Sequence, residues 1–76
     1  MQSTKGIEAS MYRVKIRSID GTEHTDHADF FDAVAAYAEA TGLSTTKVRE
    51  DWCRCDGVLT FDDGTGEYYV DLIPPN

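Results

Sequence analysis

A chain of 76 residues with 14 Asp and Glu against seven Lys and Arg, a formal net charge of −7, has room for one hydrophobic core. Its field repels nucleic acid and acidic membrane surfaces and attracts basic ones. The 41% apolar residues and eight aromatics can fill one small core but leave little room for an enclosed substrate cavity of roughly 300 Å³ or more, which disfavours an enzyme; no apolar run reaches the ~18–20 residues of a membrane span.

Residues 1–10 are polar and aperiodic and are expected to form a flexible arm, leaving 11–76 as a single domain. No apolar stretch follows Lys5, so the start does not read as a signal peptide; a cytoplasmic location and two reduced cysteines are expected. Residues 12–19 alternate strictly. Tyr12, Val14, Ile16 and Ser18 point one way and Arg13, Lys15, Arg17 and Ile19 the other, the period of a half-buried strand with a basic outer face. Asp20-Gly21 signals a turn. A helix is predicted next, capped by Thr25 or Asp26, with Asp29 favourable near the positive end of its dipole. Its core stripe is Phe30, Phe31, Val34, Tyr37, Ala38 and Thr41, its alanines raise helicity, and Gly42 stops it.

Residues 43–55 carry two patterns. Ser44 could cap a short helix with Val48, Trp52 and Cys55 on one face, or residues 48–55 could be extended. The reading adopted is a helical turn near 45–50 that runs into a strand at 52–55. Asp56-Gly57 is a tight-turn signal between extended segments. Residues 58–61 read as a strand, 62–67 as a polar Gly-rich loop, and 68–73 as a final strand stopped by Pro74-Pro75. The expected class is α+β: one main α-helix packed on a small antiparallel β-sheet of three to four strands, in the order β-α-β-β or β-α-β-β-β.

Few groupings suggest chemistry. His24, His27, Cys53 and Cys55 are ligand types that zinc accepts, and a structural zinc would help so small a core. However, Cys-x-Cys is closer than the usual spacing of two to four residues, and no cofactor is expected. Asp62, Asp63 and Glu67 around Gly64 and Gly66 span about half an EF-hand loop. No nucleophile motif accompanies the Ser and Thr residues. Trp52 reads as core, and Tyr69 beside Asp71 as an exposed contact pair.

The remaining signal is how the acids are placed. Residues 20–39 hold six acids and residues 56–76 five, and neither stretch contains Lys or Arg. On the helix, Asp29, Asp32 and Glu39 lie along one side, continued by Asp26 and Glu23 before it; Asp62, Asp63, Glu67 and Asp71, with Tyr69, form the second group. Like charges so close cost a few tenths of a kcal/mol per pair, and they either keep the domain dispersed or meet Lys and Arg on a partner. A rigid acidic face can occupy the basic groove that a nucleic-acid-binding protein offers to phosphates.

In length, acidity, expected architecture and lack of a catalytic motif, the chain resembles the small acidic anti-CRISPR proteins of phages and mobile elements. That resemblance implies a non-enzymatic inhibitor, acting by DNA mimicry, whose carboxylates face a basic subunit of a Cas complex and block docking of DNA or a Cas partner. The partner-binding residues are then expected to be Glu23, Asp26, Asp29, Asp32, Glu39, Asp62, Asp63, Glu67, Tyr69 and Asp71. The alternatives are a small zinc-binding structural protein, an interaction module of a phage operon with another target, or an antitoxin-like component or small hydrolase in which Arg13, Lys15 and Arg17 touch nucleic acid. A monomer, or a homodimer paired through the last strand, is expected.

Overall fold

The computed structural model of the protein describes residues 11–75; the arm expected at 1–10 lies outside them. The elements are β1 (Tyr12–Ser18), β2 (Gly21–His27), α1 (Phe30–Thr41), α2 (Thr45–Arg54), β3 (Leu59–Asp62) and β4 (Tyr68–Ile73). The fold is α+β, as expected, but its order is β-β-α-α-β-β rather than β-α-β-β or β-α-β-β-β. All four strands are antiparallel in the order β2-β1-β4-β3. Thus the first and last strands of the described residues lie side by side at the centre, and β4, paired on both sides, offers no free edge for the homodimer expected through the last strand.

The first difference from the expectation is β2. Its sequence, Gly-Thr-Glu-His-Thr-Asp-His, has no apolar residue, so it lacks the alternation that marks a strand. Pairing with β1 makes it extended: Arg13 lies opposite Asp26 and Ile16 opposite Glu23. The helix therefore starts later, capped by Asp29 and not by Thr25 or Asp26. The Asp29 backbone is extended, and its Oδ2 accepts the Asp32 N–H at 3.2 Å, satisfying a donor of the first turn. Gly42 ends α1 in the left-handed conformation (φ 80°), and its N–H donates to Ala38 O at 2.8 Å.

The second difference is α2. Residues 52–55, expected to be extended, continue the helix that Ser44 caps: its Oγ accepts the Lys47 N–H at 3.1 Å. Lys47 reaches Asp51 one turn on, at 3.0 Å. Asp56-Gly57 then leads from this helix into β3 instead of joining two strands. The final strand occupies residues 68–73, as expected.

The core is one seam between α1 and the helix-side face of the sheet. Val14, Val70 and Leu72 from β1 and β4 meet Ala33, Val34, Tyr37 and Ala38 from α1, with Val48 of α2 closing the flank. Burial, reinforced by the nearby Asp71 and Asp51 carboxylates and the Cys55 thiol, pushes the Tyr37 hydroxyl above the ordinary tyrosine range. Phe31, expected in the stripe, is 62% exposed. Both helices lie on one side, so the opposite face of the sheet meets solvent, as antiparallel sheets allow. Tyr68 Oη donates to Ala40 O at 2.7 Å, which places the end of α1 at the hairpin end of the sheet.

The seam makes a direct prediction. Leu72→Ala, at a fully buried position of a central strand, should destabilise by about 2–5 kcal/mol in urea unfolding. Ile19→Ser, at a residue 76% exposed, should stay within about 0.5 kcal/mol of the parent.

Candidate functional site

The ten residues expected to bind a partner, read as one group on the helix and its approach and a second on the hairpin loop and last strand, fall into three groups, because pairing in the sheet sorts them. The first group is held internally on the open face of the sheet. Arg13 grips Asp26 with a fork: Nε donates to Oδ1 at 2.9 Å and Nη2 to Oδ2 at 3.3 Å. Arg17 stands between Asp71 and Tyr69. Its Nη2 donates to Asp71 Oδ1 at 3.1 Å, and its guanidinium carbon lies 5.0 Å from the centre of the Tyr69 ring. Its Nε sits 3.1 Å from Asp71 Oδ2, too poorly aligned for a hydrogen bond. Thr60 Oγ1 adds a bond to Asp71 Oδ1 at 2.9 Å. Asp71 is 7% exposed, so its carboxylate is committed within the protein, and Tyr69 is half-buried beside the same guanidinium. Two of the three bases on this face of β1, Arg13 and Arg17, are thus paired, while Lys15 between them forms no ion pair among the described residues.

The second group lies on the helix layer. Asp32 and Glu39, both exposed, stand seven residues apart on the outward side of α1. Asp29 precedes them at the cap. Glu23, opposite the half-buried Ile16 in the ladder, faces the same side of the sheet on the strand that flanks α1. Among the described residues no Lys or Arg forms an ion pair with Glu23, Asp29, Asp32 or Glu39.

The third group is the β3–β4 loop. Asp62 Oδ1 accepts the Gly64 N–H at 2.8 Å, and Asp63 Oδ1 accepts from the Thr65 backbone at 2.9 Å and hydroxyl at 2.7 Å. Thr65 Oγ1 accepts the Glu67 N–H at 3.1 Å. Gly64 and Gly66 turn with φ of 91° and 80°. The Asp and Thr side chains here act first as turn builders. The Thr65 hydroxyl, with the Thr65 N–H, holds the Asp63 carboxyl below the usual carboxylate range.

The zinc candidates separate. His24 and His27 stand on β2, where Thr25 Oγ1 lies 2.8 Å from His27 Nε2. Cys53 and Cys55 sit at the end of α2 as free thiols, and the Cys55 Sγ donates to Trp52 O at 3.2 Å. Among the described residues no three His, Cys, Asp or Glu side chains converge on a metal position. No described helix is long and apolar enough to cross a membrane.

One feature escaped sequence reasoning: an open groove of about 620 Å³ at the start of α1, with Tyr12, Phe30, Phe31 and Trp52 in its walls. The signal for it was the Phe-Phe pair in the first turn of α1, ahead of the fully buried Ala33 and Val34. No protein-family profile matches the chain, and no curated protein or solved structure is significantly similar to it.

The Arg13 fork predicts a pH dependence. Its hydrogen bond holds the Asp26 carboxyl below the usual carboxylate range, so the pair's stabilisation is complete above about pH 4 and is lost as pH falls through the folded-state value. The melting-temperature difference between the parent and Asp26→Asn should therefore be flat from about pH 6 to 8 and shrink towards zero in acid.

Proposed function

We propose that this protein is a non-enzymatic acidic interaction module that docks on a basic, nucleic-acid-binding surface of another protein and displaces the phosphates that surface would hold. A Cas complex subunit is the target class that the resemblance to anti-CRISPR proteins implies. One observation carries the reading: the acid excess is not neutralised evenly. Arg13 and Arg17 are taken up by Asp26 and Asp71 on the open face of the sheet, and Lys47 and Arg54 lie against Asp51 on α2. Among the described residues, Glu23, Asp32 and Glu39 on the helix layer form no ion pair.

Exposed like charges on a rigid helix and strand add nothing to folding, but they steer a basic partner and set the register of docking. Because Arg13 and Arg17 each hold a carboxylate, they are poorly placed to contact nucleic acid, which favours a protein partner over direct nucleic-acid binding. Asp26 and Asp71 drop out of the contact set. Asp63 and Glu67, at the hairpin end where α1 also finishes, extend the acidic area towards Glu39.

The test is capture of partners from the native host, or from a panel of Cas complexes, at about 0.1 M and 0.5 M salt, where screening shortens the reach of exposed charges. A partner held at low salt should be released at high salt. The combined variant Glu23→Lys, Asp32→Lys and Glu39→Lys should bind it tenfold or more weakly, about 1.4 kcal/mol or greater. Asp29 is left intact because it caps α1. Unchanged capture by the triple variant would sink the reading.

A further inference from the structure

We propose that the aromatic groove at the start of α1 is the apolar anchor point of this acidic surface, and that it receives an apolar side chain flanked by Lys or Arg on a partner protein. The inference rests on the interaction reading above and names what the partner must present.

The groove is built from three elements. Tyr12 comes from the start of β1, Phe30 and Phe31 from the first turn of α1, and Trp52 from α2. The rings form a connected set: Tyr12–Phe30 centroids are 5.5 Å apart, Phe30–Phe31 5.6 Å, Phe30–Trp52 5.9 Å and Tyr12–Trp52 6.3 Å, all tilted or edge-on. Such contacts fix the ring orientations before anything binds. None of the four belongs to the fully buried core. Phe31 is 62% exposed, so beyond its edge contact with Phe30 it presents a large apolar face to solvent. Pre-positioned aromatics around a cleft are the usual composition of an interface hot spot.

The charges around the groove select the occupant. Asp29, the cap of α1, and Asp32 in its first turn are exposed within two residues of Phe31, and Glu50 lies in the α2 wall. The one base in the walls is Arg49, also on α2. A partner's Lys and Arg are thus directed to the α1 side of the apolar anchor. A second copy of this chain fits poorly, since it would bring one acidic rim against another.

The probe is the intrinsic fluorescence of Trp52, the only tryptophan in the chain, which stands in the groove wall. The full chain is titrated with a short synthetic peptide carrying one central Phe between Lys and Arg residues, with the same peptide carrying Ser for Phe, and with a Phe peptide flanked by Glu. Saturable change in Trp52 emission is expected with the first peptide, with binding about tenfold or more weaker for the Ser peptide. Phe31→Ala, at an exposed site that leaves the far-UV circular dichroism unchanged, should lose a similar factor. Asp32→Lys should weaken binding, and Arg49→Glu, which makes the rim wholly acidic, should tighten it.

Equal binding of the Phe and Ser peptides, or of Phe31→Ala and the parent, overturns the anchor while leaving the acidic-surface reading intact. Preference for the Glu-flanked peptide overturns both. No response to any peptide, or emission that changes with the protein's own concentration as it dimerises, overturns the anchor alone.

Discussion

The packing of α1 across β1 and β4 is the constraint on which the rest of the molecule depends. These two strands come from opposite ends of the described chain, and only together do they offer Val14, Val70 and Leu72 as a surface wide enough for Val34, Tyr37 and Ala38. A domain this small has material for one such seam. Once the seam is formed, β2 and β3 are added as edges, α2 closes the flank through Val48, and the other face of the sheet is left to water. The charge arrangement follows from that one-sided architecture.

An open sheet face in a chain with so many acids must carry polar groups that tolerate close neighbours. Here opposite charges alternate across the ladder: Arg13 faces Asp26, and Arg17 reaches Asp71 from the adjoining strand. Among the described residues, the carboxylates without an ion pair are those of the helix layer and the β3–β4 loop, with Asp20 and Asp56 between elements. The surface is therefore divided into a balanced sheet face and an acidic helix side, with an aromatic groove at one end of the helix. The same seam that turns Val34 and Tyr37 inward turns Asp32 and Glu39 outward, while Phe31, on the stripe of Val34 and Ala38 but in the first turn, is exposed at the start of the helix.

Elements with a strong local pattern were legible in the sequence. The alternation of β1, the last strand at residues 68–73, the middle of α1 and its stop at Gly42 all follow from hydrophobic period and backbone preference. β2 was not legible because it holds no apolar residue and is extended only through its partner. The end of α2 was misread because Trp52 and Cys55 suit a strand as well as a helix face, and burial of Val48 with a Ser44 cap decided for the helix. For the candidate site, the identity of the acids could be read, but not their grouping. Asp26 was expected at the head of a helical row and stands on a strand opposite Arg13; Asp71 was expected at the surface and is buried under Arg17.

What the sequence determined by itself was the net charge, the α+β class and most of the apolar face of β1, α1 and β4, because these depend on composition and on contacts within a few residues; it put the exposed Phe31 in the core stripe and left out the fully buried Ala33. Only the tertiary structure decided which acids are free. Arg17 and Asp71 lie 54 residues apart and Arg13 and Asp26 13 apart, and no local period encodes those pairings. An ion pair across a ladder exists only when strand order and register bring two side chains together, and here that order is set by the burial of one apolar seam.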